Sequence, residues 1–205
     1  MMGRTMKRKS YNLPYHAHFL TFSVYRRQQL LTNDHLREEL LHHWDIARHK
    51  LDFAIWSYVI MPEHVHLLIY PRNEQYAMPC ILRSLKESFA RWVVRHWEEH
   101  APHLLTRISV KRGPRALHRF WQEGGGYDRN LFDWDTIERA IDYIEMNPVR
   151  RGLVTDPLDW KWSSARHRVG STDTTFRVDP IDESRVPHSS TVENLGCNSS
   201  ETSSK

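Results

Sequence analysis

The sequence is short of cysteine, has no long apolar run, and is not dominated by charge of one sign. Its two cysteines, Cys80 and Cys197, lie far apart, the second in a polar stretch, so neither a disulfide framework nor a zinc ribbon follows. There is no run of about 18 apolar residues and no signal-peptide pattern, which predicts a soluble, cytoplasmic protein with no membrane partner. No internal repeat occurs. The formal net charge of +4 says little by itself. What is present is an ordinary globular composition over 205 residues, with fourteen histidines and eight tryptophans. That length supports one well-cored domain plus a tail.

The placement of the charge is more informative than its sum. Lys7, Arg8 and Lys9 open the chain, Arg26 and Arg27 follow a candidate strand, and Lys111, Arg112, Arg115 and Arg119 sit together. Arg150 and Arg151 form a further pair. Such clusters favour a polyanionic partner, most simply nucleic acid. Each cluster alone is equally consistent with a solvated surface.

The hydrophobic pattern predicts the elements in order. Residues 16–25, HAHFLTFSVY, read as a strand rich in aromatic and β-branched residues. Asn33 or Asp34 caps a helix to about Lys50, with Leu36, Leu40, Leu41 and Trp44 at helical spacing. Strands over 53–60 and 64–70 form a hairpin around Pro62. A second helix spans about 79–99, a loop covers 100–113, and LHRFWQ (117–122) is a fourth strand closed by Gly124, Gly125 and Gly126. A third helix runs from about 134 to 147 and stops at Pro148. This order predicts an α+β class, a ferredoxin-like split βαβ with an antiparallel sheet, helices on one face, and an added helix. The opposite sheet face is then free for a ligand. The chain divides into a basic arm (1–10), a main folded domain (11–168) and a polar tail (169–205) whose composition predicts disorder.

Within this frame, MPEHVHLLI (61–69) raises a specific question. Side chains alternate along a strand, so His64 and His66 share one face while Val65, Leu67 and Ile69 share the other. Two adjacent imidazoles suit one metal ion, and they equally suit a hydrogen-bonded structural pair. On the third helix, Ile137, Ala140, Ile141 and Ile144 form the core stripe. Tyr143 and Asn147, four apart, stack on its shoulder. Such a tyrosine either reaches a pocket at the sheet edge or packs its ring and leaves its hydroxyl in water.

Taken together, YVIMPEHVHLLI, FWQEGGGYDRNLF, YIEMNPVRRGLV and DWKWSSAR resemble, in order and spacing, the IS200-type single-tyrosine transposases of the HUH nuclease superfamily. The likeness is greatest to their REP-associated branch and covers roughly residues 15–166. It implies that Tyr143 is the nucleophile and that His64, His66 and Asn147 are metal ligands for Mg or Mn. It implies cleavage and rejoining of single-stranded hairpin DNA through a 5′-phosphotyrosine link. Family members work as monomers or homodimers. Because Asn147 precedes a proline, it is expected at the very end of the helix. An unassisted phenol is a poor nucleophile at neutral pH, and a metal that polarises phosphate answers that need.

Other residues compete for roles. Tyr127, after three glycines, is a rival nucleophile on a flexible loop. His16 and His18 repeat the His-x-His spacing and read as structural or DNA-facing. Glu63 is expected on the strand face opposite His64. Arg150 and Arg151 either hold phosphate or complement a helix dipole, and Cys80 reads as a small buried residue. Two alternative functions stay open: a hairpin-binding domain without catalysis, and a metallohydrolase with a water nucleophile.

Overall fold

The computed structural model describes residues 12–112, 115–183 and 186. The basic arm, the tail beyond 186, and the side chains of Lys111, Arg112 and Arg115 lie outside the described residues.

The first half forms as its sequence pattern predicts. Strand β1 (Ala17–Ser23) is followed by helix α1 (Asp34–Leu51), whose Asn33 side chain accepts the Leu36 N–H. This cap satisfies one of the helix's orphan donors. Strands β2 (Phe53–Ile60) and β3 (His64–Pro71) make the hairpin, and α2 (Met78–His100) follows.

The region 100–131 differs from expectation. A single turn α3 (Leu105–Ile108) leads into a separate hairpin of β4 (Ser109–Arg112) and β5 (Arg115–His118). The fourth strand of the main sheet is β6 (Tyr127–Leu131), not 117–122. Phe120 and Trp121 are buried, but they pack against Phe22 and Phe89 rather than extending the sheet ladder. Helix α4 (Trp134–Glu145), capped by Asp133, and the turn α5 (Asn147–Arg150) complete the site-bearing elements.

The main sheet has the order β2-β3-β1-β6 and every neighbouring pair is antiparallel. Strands β1 and β2 therefore run the same way with β3 between them, which is the split βαβ of the ferredoxin-like class. On one face, Leu20, Phe22, Val65, Leu67 and Ile69 meet Leu40 and Trp44 of α1 and Leu85 and Phe89 of α2. Each such side chain contributes about 1.5–3 kcal/mol by leaving water. A bulge between Ile55 and Ser57 shifts the register of β2 against β3. Beyond it, Tyr58 and Ile60 still reach the α1/α2 core while Val59 and Met61 reach the other face.

The opposite face is not left free. Ile137, Ile141 and Ile144 of α4 cover Ala54, Trp56, Val59, Leu68 and Tyr70. The reason is the amphipathic stripe of α4, which has to bury its isoleucines somewhere. The open part of that face is narrowed to the β1–β6 half and the end of β3.

Part of the sequence assigned to the tail also packs. Phe176 is buried against the Tyr58 ring, and Asp179 accepts the Ile55 N–H at 2.9 Å while pairing with Arg48 and Arg72. Low average hydrophobicity over 171–183 hides this one aromatic anchor and one well-bonded carboxylate. Among the described residues no helix is long and apolar enough to cross a membrane.

Candidate active site

Strand parity places His64 and His66 on the α4 side of β3, as their spacing predicts, and both are buried. Their ring nitrogens are oriented by neighbours. His64 Nδ1 lies 3.2 Å from Glu63 Oε1, and a carboxylate can only accept, so Nδ1 carries the proton. The Asn147 Nδ2 donates toward His66 Nε2 at 3.3 Å, which makes that nitrogen an acceptor. The proton of His66 then sits on Nδ1, 2.7 Å from Thr21 Oγ1, the residue directly across the ladder. Burial lowers the pKa of both imidazoles. His66 is pushed down to about 3, by burial first and by neighbouring His64 second. For His64 burial also dominates, partly offset by Glu63. Both rings are therefore neutral near pH 7.

The consequence is two Nε2 atoms 3.1 Å apart with no ring proton between them, the His66 lone pair being shared with the Asn147 N–H. Lone pairs in that arrangement repel unless a positive centre is shared. Two nitrogens about 2.1 Å from one divalent cation at roughly a right angle stand about 3.0 Å apart. Asn147 adds a buried amide whose Oδ1 has no hydrogen-bond partner among the described residues. These residues fit a divalent cation held by two imidazoles and, once the Asn147 amide turns so that Oδ1 replaces Nδ2 toward His66, one amide oxygen, with Glu63 and Thr21 fixing the tautomers. Among the described residues no three His, Cys, Asp or Glu side chains converge on a metal. The third donor here is an amide.

Glu63 is thus a correction. It was expected on the face opposite His64, but it lies in the turn before β3 begins, where strand alternation does not apply. Its buried carboxylate also sits 3.1 Å from Arg151 and 3.8 Å from Arg27. Asn147 differs too: α4 ends at Glu145, and the chain restarts at Asn147 with Pro148 near the start of the next turn. Proline lacks the N–H that a helix interior needs, but tolerates the first turn. The amide is buried and bonded rather than loose at a helix end.

Tyr143 is 40% exposed, and its ring stands edge-on to His66 at 5.5 Å and to Phe19 at 5.9 Å. Arg150, one of the arginines from the sequence clusters, lies over that ring with its guanidinium carbon 4.9 Å from the centroid. A cavity of about 600 Å³ opens here, with His66, Thr21, Tyr143 and Tyr127 in its wall. Tyr127 is not on a flexible loop: it is the first residue of β6 and pairs with Thr21. Both tyrosines face one cavity.

Two further cations in that wall, Arg129 and Arg139, escaped the sequence reading. Arg139, Tyr143 and Asn147 recur every four residues, a signal that could have found the first of them. His18 is buried on the other face between Asp128 (2.8 Å) and Tyr76 (2.7 Å), a structural role. Arg26 covers the Tyr25 ring, and Arg119 pairs with Glu123; neither lines the cavity that holds Tyr143. Cys80 is exposed rather than buried.

Sequence comparison with known proteins points to one family. An Escherichia coli K12 REP-associated tyrosine transposase is 28% identical over 147 residues, covering 70% of this chain and 72% of its own. A Haemophilus influenzae protein provisionally given the same designation is 26% identical over 154 residues, covering 74% of this chain and 81% of its own. A solved REP-associated tyrosine transposase, bound to a REP hairpin, superimposes with a TM-score of 0.63 over 90% of this chain and 98% of that one. Its sequence identity is 21%, so it supports the fold. The family described as "Transposase IS200 like" matches residues 9–146, about two thirds of the sequence, and the chain belongs to that family.

Proposed function

We propose that this protein is a metal-dependent tyrosine endonuclease and ligase of the REP-associated branch, acting on single-stranded DNA that carries hairpins. One observation carries the reading: Tyr143 stands against His66 in the wall of one cavity, and behind His66 lie the His64 Nε2 at 3.1 Å and the buried Asn147 amide at 3.3 Å. The hairpin-bound fold neighbour supports the substrate class.

The reaction needs few parts. The Tyr143 oxygen attacks a backbone phosphorus, a Tyr–O–P bond forms, and the P–O bond to the 3′ oxygen breaks. The products are a 5′-phosphotyrosine and a 3′-hydroxyl, and the phenolic proton ends on that hydroxyl through solvent. Because one phosphoester replaces another, another 3′ end can reverse the step and rejoin the strand. A bound Mg or Mn ion would polarise the phosphate and offset charge building on its oxygens. His64, His66 and Asn147 bring no charge of their own, so they leave the attraction for phosphate intact. Arg150, over the Tyr143 ring, and Arg129 and Arg139 in the cavity wall supply cations for the phosphates on either side.

Covalent trapping tests this directly. A labelled hairpin from beside the protein's own gene is incubated with and without Mn and run on a denaturing gel. A metal-dependent shifted band that disappears in Tyr143→Phe and persists in Tyr127→Phe is expected. Cleavage with no adduct would instead support a water nucleophile. Binding with neither cleavage nor adduct would reduce the protein to a hairpin-binding module.

A further inference from the structure

Two arginines from the sequence's basic clusters, Arg27 and Arg151, do not line the cavity that holds Tyr143; both reach Glu63 instead. The split is sharpest in the adjacent pair Arg150 and Arg151. Arg150 lies over the Tyr143 ring, with its guanidinium carbon 4.9 Å from the centroid, whereas Arg151 places Nη2 3.1 Å from Glu63 Oε1. Consecutive residues around a helical turn stand about 100° apart. One side chain is thereby directed to the tyrosine and the next to the carboxylate behind His64.

A single carboxylate oxygen gathers donors from three segments. Glu63 Oε1 lies 3.2 Å from Nδ1 of His64 at the start of β3, 3.1 Å from Arg151 just beyond α5, and 3.8 Å from Arg27 in the turn after β1. The Glu63 side chain is buried, while both arginines are at least half exposed. A buried carboxylate without a counterion is strongly disfavoured and turns toward water where it can. Here that turn would withdraw the acceptor that fixes the His64 proton on Nδ1. Arg151 is the nearer counterion, and its backbone N–H donates to the Asn147 carbonyl at 3.0 Å. One residue thus connects to Asn147 through its backbone and to His64 through Glu63. Arg27 is farther, but its turn is braced against Glu63: the Val24 N–H donates to the Glu63 carbonyl at 2.9 Å. Arg26 and Arg27 there adopt left-handed backbones, φ +56° and +52°, which are disfavoured outside glycine.

We propose that Arg151 is a positioning residue for the metal site rather than a phosphate contact. Acting through Glu63, it fixes the tautomer of His64 and keeps the Asn147 turn in register with the histidine strand. Arg27 supports the same carboxylate from the turn after β1. This rests on the metal-dependent reading proposed above. It gives two adjacent arginines separate tasks, Arg150 toward the DNA strand and Arg151 toward the residues that would hold the cation.

The test needs no turnover. In isotope-labelled, metal-free protein, long-range proton–nitrogen spectra should show His64 protonated on Nδ1 and bare on Nε2. Arg151→Gln, and likewise Glu63→Gln, should shift that signal toward the Nε2-protonated form. Each should also lower Mn affinity by about tenfold in calorimetric titration. Arg151→Lys, which keeps a cation near Glu63, should recover part of both. Hairpin binding titrated over a range of salt supplies the contrast. Arg151→Gln should leave the salt slope unchanged, whereas Arg150→Gln should lower it by about one phosphate contact and leave the His64 signal alone. An Arg151→Gln protein that keeps the wild-type tautomer and Mn affinity, or whose slope loses a phosphate contact, would overturn the proposal. So would a weakened Mn affinity with an unchanged His64 signal, which marks a general loosening of the fold. Wild-type protein that binds Mn yet forms no Tyr143 adduct would defeat the catalytic reading and leave this one standing.

Discussion

The two faces of the β-sheet are built from the same strands and do different work. On β3, Val65, Leu67 and Ile69 point into the α1/α2 core, where they are completely buried among aliphatic and aromatic side chains. Their neighbours His64 and His66 point to the face that α4 only half covers, and there burial forces polar groups to find partners. One face is closed by two long helices, and its residues are interchangeable within limits of volume. The other is closed by one amphipathic helix that also delivers Tyr143, so the cover and the reactive group arrive together. Period-two alternation thus separates what holds the fold from what the site uses, residue by residue along eight positions of β3.

The largest break in that comparison comes from adjacent substitutions on opposite faces. His66→Ala should cut adduct formation by about a hundredfold or more through lost metal affinity and orientation, with a small change in melting temperature. Leu67→Ala should instead cost about 2–5 kcal/mol of stability through the transfer and cavity terms. At a temperature where it stays folded, that variant should still form the adduct. Trapping gels and thermal unfolding on both proteins check the pair. If His66→Ala unfolds the protein as Leu67→Ala does, the separation of roles by face is wrong.

A smaller effect is expected where the faces meet. Gly126→Ala puts a methyl against the Thr21 carbonyl in a left-handed backbone conformation. It should cost about 1–3 kcal/mol. Because Thr21 also orients His66, the same change should weaken metal binding, read by calorimetric titration with Mn. Gly124→Ala, which has open space, should leave metal affinity alone and pay only for its positive φ.

Much of this was legible before any coordinates, for identifiable reasons. The His64–His66 pair follows from strand alternation, and the core stripe of α4 from helical periodicity, both local rules that tertiary contacts did not override. The errors fall where local rules stop. Glu63 precedes the strand, so its side chain is aimed by the turn and by Arg151, which is distant in sequence. Strand β6, YDRNL, has one fully buried side chain and two charges, because it is a sheet edge and needs only one apolar face contact. The more apolar LHRFWQ looked like the better strand, yet its Phe120 and Trp121 serve the aromatic cluster on α2. Which of two β-prone segments wins an edge position is decided by long-range pairing with β1, and no window of sequence contains that.

The mildest prediction uses acid to tell the faces apart. In metal-free protein the folded His66 titrates near 3, well below an ordinary imidazole. Above about pH 6.5 the ring is neutral both folded and unfolded, so it contributes no pH dependence there. As pH falls below that, the unfolded chain takes up the proton and the folded one does not, so stability drops. The slope is at most about 1.4 kcal/mol per pH unit for one such group. His64, shifted the same way, adds to it. Thermal unfolding in a chelating buffer should therefore show a melting temperature that declines from pH 7 to pH 5. His66→Gln should flatten that decline, and Leu67→Ala should lower the whole curve while keeping its slope. A decline that is identical in His66→Gln would mean the acid sensitivity arises elsewhere and that the buried pair is not where protonation opposes folding.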